Sequence, residues 1–227
     1  MTAWMSWSTG KDSTYALHVA REVLGLDVVG LLTTVTADHD RVSMHGVRRE
    51  LLERQADRLG LPLEVVEIPT PCSNAEYERR ISAGLAEGRA AGVERIVFGD
   101  LFLEDIRAYR EDRLEDTGIT PIFPLWQRDT RALAAEMLDA GIRARVTCVD
   151  PRQLDPAFAG RDFDRAFLDD LPPAVDPCGE RGEFHSFAFD GPGFSTPIEV
   201  VSGEVVERDG FVFADLLPAP TPAPPAR

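Results

Sequence analysis

The sequence predicts an α/β fold: a parallel sheet of five strands or slightly more, with helices on both faces, followed by a small β-rich C-terminal subdomain. Three observations predict it. From residue 3 to about 150, short apolar runs alternate with amphipathic stretches at helical spacing, as in strands joined by crossover helices. The first apolar run leads straight into a Ser/Gly loop and a helical stretch, the strand–loop–helix arrangement that binds anions. After residue 150 the chain turns to Gly, Pro and β-forming residues. The expected organisation is a phosphate-loop domain over 1–150, a substrate subdomain over 151–217 and a disordered Pro/Ala tail over 218–227.

In chain order, Ala3–Trp7 reads as the first strand, and the stretch from Ser13 to Val23 reads as a helix. Apolar runs at Val28–Thr34, Leu63–Ile68, Arg95–Phe98, Ile119–Phe123 and Arg145–Val149 supply further strands of the parallel sheet. Helical stretches lie between them at Val47–Leu59, Asn74–Ala91, Leu103–Glu115 and Thr130–Ala140. In the first of these, Val47, Leu51, Leu52, Gln55 and Leu59 recur at helical spacing. Asp129 and Gly141 cap the last one. Beyond it, Asp155–Leu171 holds a helical run closed by Pro172-Pro173, and Val200–Val206 with Gly210–Phe213 reads as a hairpin. Ligands of such sheets bind at the carboxyl ends of the strands, where the Ser/Gly loop falls.

Composition excludes several classes. A net charge of −15 opposes a nucleic-acid partner, since polyanion binding needs a basic face. Three widely separated cysteines (Cys72, Cys148, Cys178) without C-x-x-C spacing fit a reducing compartment rather than a disulfide framework or zinc site. No apolar run approaches a membrane span, so the expectation is a soluble, cytoplasmic protein. A homodimer is compatible with the exposed faces of an α/β domain, though no feature of the chain specifies one.

The only lysine of the chain, Lys11, sits inside Ser8-Thr9-Gly10-Lys11-Asp12-Ser13; the other basic residues are arginines. Lysine is a compact point charge that a phosphate loop can wrap, whereas arginine presents a wide planar fork. Gly10 allows close backbone approach, and the Ser8 and Ser13 hydroxyls can donate to phosphate oxygens. Lys11 can neutralise developing charge, and Asp12 can hold magnesium. The alternative is an ordinary strand-to-helix turn with Asp12 or Ser13 as N-cap. A second constellation, Gly179-Glu180-Arg181-Gly182-Glu183-Phe184-His185, gathers carboxylates, an arginine and a histidine between glycines. Glu183 or His185 can serve there as general base, or the stretch is a hairpin with solvated polar residues.

The two stretches together resemble the diphthine–ammonia ligase family, a branch of the ATP pyrophosphatases with a Rossmann-like adenine-nucleotide α-hydrolase fold. That family pairs an S-G-G-K-D-S loop with a G-E-G-G-E-[FY]-E-T-[FL]-V-x-D-x-P-[LM]-F signature. Here the first is Ser8–Ser13 and the second runs from Gly179 to Phe194. Met44-His45, Ala56-Leu59-Gly60-Leu61-Pro62 and Pro124–Asp129 also match in kind and order. The resemblance implies ATP and Mg2+, with pyrophosphate on Ser8, Thr9, Gly10, Lys11, Asp12 and Ser13. It places adenine and ribose by Thr33 and Thr34, near Met44, His45 and Gly99. Asp12 and Asp100 are the metal candidates. Asp100, Trp126, Arg128, Glu180, Glu183 and His185 are the substrate candidates, with Lys11, Asp12, Glu183 and His185 in the catalytic roles.

The implied reaction splits ATP to AMP and pyrophosphate, adenylates a small-molecule or protein-borne carboxylate and amidates it with ammonia or an amine. Three departures from the pattern matter. Thr9 replaces a glycine, which a phosphate loop tolerates if the residue keeps φ below zero. Arg181 replaces a glycine and His185 a glutamate, which leaves the identity of the acceptor open. Loss of Lys11 to alanine is expected to cut pyrophosphate release with little loss of fold. Two other classes stay open: a non-catalytic ATP- or AMP-binding regulatory protein, and a tRNA sulfur transferase using Cys72 or Cys148.

Overall fold

The computed structural model describes residues 2–219. Strand β1 (Thr2–Ser6) alternates side chains between the two faces of the sheet and ends at the Ser/Gly loop. Helix α1 (Lys11–His18) starts inside that loop and runs on into a π-helical turn, Val19–Val23. Next come β2 (Asp27–Thr36), the short β3 (Arg41–Val42), α2 (Arg49–Leu59) and β4 (Leu63–Ile68). The longer helix α3 (Asn74–Ala90), β5 (Arg95–Val97), α4 (Glu104–Leu114), β6 (Thr120–Ile122) and α5 (Thr130–Asp139) complete the first unit.

Strands β4, β2, β1, β5 and β6 pair in parallel, in that order. The short β3 adds an antiparallel pair to the end of β2. Counted along the chain the parallel strands run 3-2-1-4-5, so the order reverses between β1 and β5. Such a reversal opens a crevice at the carboxyl ends of the strands. The loop after β1 therefore lies at the mouth of that crevice. Helix α5 is capped as its sequence predicts: the Asp129 carboxylate accepts from the Ala132 amide at 2.8 Å.

The run Arg145–Val149 is the one strand prediction that the fold redirects. It forms β7 (Arg143–Val149), which lies at the middle of a second, antiparallel sheet. That sheet also holds β8 (Asp162–Phe163), β9 (Phe184–Asp190), β10 (Val200–Arg208) and β11 (Phe211–Pro218). The β-rich unit thus starts at Arg143, ahead of the boundary at 150. An apolar run does not record its own partner, and β7 finds antiparallel neighbours on both edges. The expected helical run at Asp155–Leu171 divides into a 3-10 turn at Pro156–Phe158, β8 and a short α6 (Arg165–Asp170). The hairpin β10–β11 turns at Asp209 and Gly210, both at positive φ, the geometry of a tight two-residue turn. Pro218 still pairs with Val200, so the strand extends into the predicted tail; residues 220–227 lie outside the described part.

A single buried cluster runs from Ala3, Met5 and Leu31 in the first sheet to Val146, Phe167 and Phe187 in the second. Strand β9 abuts the loop after β1: the Ala188 amide donates to the Thr9 carbonyl at 2.9 Å. No helix among the described residues is long and apolar enough to cross a membrane.

Candidate active site

The two sequence motifs meet. A cavity of about 680 Å3 opens at the strand-order reversal, lined by Ser8, Lys11, Asp12 and Ser13 from the first motif and Glu180, His185 and Ser186 from the second. Its volume falls in the range of small-molecule sites, roughly 300–1,000 Å3.

The loop is held from within and from β9. The Ser8 hydroxyl donates to Ser13 Oγ at 3.1 Å, and Ser13 donates to the Gly10 carbonyl at 3.0 Å. Gly10 is extended, at φ −86° and ψ 171°, as the N-cap of α1. The amide of Lys11 donates to Ser186 Oγ at 3.3 Å. Gly99 follows β5, and a Cβ there would lie 3.1 Å from the backbone of Asp12 and Ser13. Gly99 thus lets β5 approach the start of α1, and it also lines the cavity.

Thr9 departs from its expected conformation. Its φ is +71°, not negative, an outlier for a β-branched residue. It is fully buried, and its hydroxyl has no hydrogen-bond partner. A threonine thus stands where the resembled motif has glycine, in a conformation that glycine adopts without strain. Arg181 differs: it is not among the positive-φ residues, so its replacement of a glycine adds no backbone strain.

Lys11 is only 1% exposed. Its ammonium bonds the Asp12 carboxylate at 2.8 and 3.0 Å and donates to the Cys178 carbonyl. The Phe163 and Phe184 rings lie 5.4 and 5.2 Å from Nζ, within cation–π range. Burial opposes the charge, but Asp12, Cys178 and Asp176 outweigh it and hold the lysine pKa above its ordinary value. The carbonyl and both rings come from the second unit, so the lone lysine is seated by residues far from it in sequence.

The carboxylates of the second motif divide their roles. Glu183 is buried, and its two oxygens accept from the Asp176 and Arg181 amides, each at 2.9 Å. It closes the 176–183 turn and does not line the cavity, which corrects the reading of Glu183 as general base. Glu180 turns the other way. One oxygen accepts from the Leu101 amide at 2.8 Å, and the residue lines the cavity. Burial, then Asp12 and Asp100, push its carboxyl up to about 7. Glu180 thus carries a carboxyl poised near neutrality at this site.

The His185 and His45 rings lie side by side, tilted by 41° with centroids 4.6 Å apart, and both line the cavity. Burial holds His185 down to about 4 and His45 well below the usual range. Both imidazoles are neutral at neutral pH, and His185 is a weak base there, contrary to its expected role. Thr33, Thr34 and Met44 line the same cavity. The Thr33 hydroxyl is buried without a partner, an open position for a ligand group.

Asp100 lines the cavity with its carboxylate paired to Arg110 at 2.8 Å. Trp126 and Arg128 do not line it. Trp126 packs on Phe123 and under Arg107, and Arg128 is tied to Glu136 at 2.5 Å. Their acidic and aromatic partners draw them away from the site. Among the described residues no group of three or more His, Cys, Asp or Glu side chains forms a metal-binding arrangement. Of the carboxylates that line the cavity, Asp12 is paired with Lys11, Asp100 with Arg110 and Glu78 with Arg113, and Glu180 accepts from a backbone amide.

Sequence reasoning did not single out Gln55 as a site residue. It is fully buried and holds both Thr9 and Ala188 through its amide nitrogen. The signal was a polar residue at a core position of an otherwise apolar helical stripe.

The chain matches the Diphthamide synthase N-terminal domain over residues 1–121 and the Diphthamide synthase C-terminal domain over residues 129–214. It is 28% identical to the diphthine–ammonia ligase of Homo sapiens, over 91% of this chain and 85% of the human protein. The Danio rerio diphthine–ammonia ligase is 26% identical, over 91% of this chain and 89% of the fish protein. Among solved structures, a predicted subunit of tRNA methyltransferase from Methanocaldococcus jannaschii is similar at a TM-score of 0.43 and 17% identity, covering 64% of this chain and 80% of that one.

Proposed function

The chain belongs to the diphthamide synthase family, and from that premise we propose that it is an ATP-dependent ligase that adenylates a carboxylate and amidates it with ammonia or an amine. One observation carries the reading: the phosphate-type loop of β1 and the near-neutral carboxyl of Glu180 face one cavity at the strand-order reversal. The relatives named diphthine–ammonia ligase support the same class of reaction.

In this reading the substrate carboxylate attacks the α-phosphorus of ATP, giving an acyl-adenylate and pyrophosphate. Ammonia then attacks the acyl carbon, AMP leaves, and one proton is released. The Ser8–Ser13 loop holds the β- and γ-phosphates, with Lys11 matching the charge that develops on pyrophosphate. Thr33 offers its unpartnered hydroxyl to the nucleoside. Glu180 takes the proton from the attacking nitrogen, with a pKa matched to neutral pH. Were magnesium to enter with the phosphates, Asp12 is the residue that would hold it, and the ion would supply charge neutralisation at the phosphate oxygens. Fixing the two reactants against each other provides much of the remaining rate.

Sulfur transfer is the weaker reading, because two of the three thiols are buried. Burial pushes Cys148 up to about 12 and Cys178 further still, which disfavours the reactive thiolate. The net charge of −15 likewise opposes a tRNA partner. We place the protein in the cytoplasm and take its acceptor to be a small-molecule or protein-borne carboxylate; self-association as a homodimer fits the same reading.

The test is pyrophosphate release from ATP and magnesium across a panel of carboxylates, with and without ammonium. Acid-dependent release, with amide formed only when ammonium is present, is the expected result. Tight nucleotide binding without release under any condition would overturn catalysis in favour of a regulatory nucleotide-binding protein.

A further inference from the structure

Resting on the adenylation reading, we propose that the acid activated by this chain carries an uncharged, apolar body seated in a chamber between α3 and α4. The cavity has two ends. Lys11, Asp12, Glu180 and His185 line the reacting end. The other is walled by Tyr77, Ile81 and Leu85 of α3, by Leu32 of β2 and Ile96 of β5, and by Phe98 just past the end of β5.

Both helices pack loosely there. Only Gly84, Leu85 and Gly88 of α3, and only Leu114 of α4, are buried. Tyr77, Ile106 and Tyr109 remain 37%, 36% and 43% exposed around the opening. Apolar surface left facing a cavity that continues to a reactive centre marks a place for an apolar ligand group.

The charges at this end are already matched. Arg110 pairs with Asp100 at 2.8 Å and Arg113 with Glu78 at 3.1 Å. The same two guanidinium groups lie 4.4 Å from the Phe98 ring centre and 5.4 Å from that of Tyr109. Both carboxylates of this end are thus paired, and guanidinium groups cover the Phe98 and Tyr109 rings. A cationic or quaternary-ammonium body finds neither a free counter-charge nor an open face on those two rings. An aliphatic or aromatic body meets apolar walls. The adenine of ATP has a better position by Thr33 on β2, where a buried hydroxyl lacks a partner.

The experiment compares two sets of acids as substrates for pyrophosphate release by the full chain. One set is apolar (hexanoate, phenylacetate, 4-phenylbutyrate) and the other is quaternary-ammonium (betaine, 4-trimethylammoniobutyrate). The apolar set is expected to give at least tenfold higher kcat/KM. Ile81→Trp fills the chamber, and Ile106→Trp at the exposed opening does so with little demand on folding. Each should lower kcat/KM for the apolar acids at least tenfold, while affinity for a non-hydrolysable ATP analogue changes less than twofold. Equal or better use of the ammonium acids overturns the inference and leaves adenylation standing. Loss of analogue affinity in the folded Ile106→Trp variant assigns the chamber to adenine and also overturns it. A wild-type chain that binds the analogue but releases pyrophosphate with neither set overturns the inference; adenylation itself falls only when no carboxylate, free or protein-borne, gives release.

Discussion

The side-chain amide of Gln55 donates to the Thr9 carbonyl at 3.0 Å, joining the core face of α2 to the loop after β1. The same nitrogen donates to the Ala188 carbonyl at 2.6 Å, and the amide oxygen accepts from the Trp7 indole at 2.8 Å. One buried side chain therefore fixes the phosphate loop against both sheets, with each of its hydrogen-bonding groups used. Gln55→Leu keeps the volume and leaves those partners unmet, an expected loss of about 3 kcal/mol. Urea denaturation gives that number. In the folded variant the KM for ATP should rise more than kcat falls, because the loop loses its position rather than its charge.

Thr9 holds a left-handed backbone with a buried, unpartnered hydroxyl. Thr9→Gly removes both costs and gives up some apolar burial and chain entropy. The net gain should be about 1 kcal/mol, read as a higher denaturation midpoint. A lower midpoint would show that the methyl packing outweighs the strain.

Lys11→Ala was expected from the sequence to spare the fold. In the structure the lysine fills a site made by Asp12, the Cys178 carbonyl and two phenylalanine rings. Its loss leaves a partly buried carboxylate and a carbonyl unmatched, so about 2 kcal/mol of stability should go with it. Pyrophosphate release should fall at least ~100-fold. Lys11→Arg should not restore it, since a wider planar fork must enter a seat in which the lysine is already 1% exposed. Near-wild-type turnover in either variant would remove the lysine from the mechanism.

Glu180 carries a carboxyl raised to about 7, mainly by burial. The folded protein keeps that proton over a range where the unfolded chain has lost it, from 4.5 up to about 7. Its contribution to stability is therefore complete below pH 4.5 and is lost as pH rises through 7. Glu180→Gln should flatten that part of the stability profile. In the wild type the amidation rate should rise with pH through about 7 as the base ionises. The variant should lose that limb and at least ~100-fold in rate. A limb that persists in Glu180→Gln assigns the titration to another group.

The helices and parallel strands of the first unit were legible because each carries its own period. Leu51, Leu52, Gln55 and Leu59 mark one face of α2, with Val47 just ahead of its start, and apolar runs of strand length separate the helices. Partnership was not legible in the same way. The run Arg145–Val149 reads like the parallel strands but pairs in the other sheet. Glu180 and Glu183 are alike in local sequence, yet one faces the cavity and the other closes a turn. Trp126 and Arg128 lie in a stretch that resembles the family and point to partners outside the site.

By itself the sequence determined that a Ser/Gly loop with a lone lysine would end a first strand and open a helix, and that a distant Glu/His stretch belonged to the same chemistry. The first is a statement about residue type and local spacing, which short segments encode; the second rests on the resemblance to a known family. The tertiary structure decided which carboxylate titrates near neutrality, that Lys11 is seated by Cys178, Phe163 and Phe184, and that Thr9 is strained. Burial and charge matching depend on what the chain brings alongside a residue, and for Lys11 the Cys178 carbonyl and Ser186 lie more than a hundred positions away.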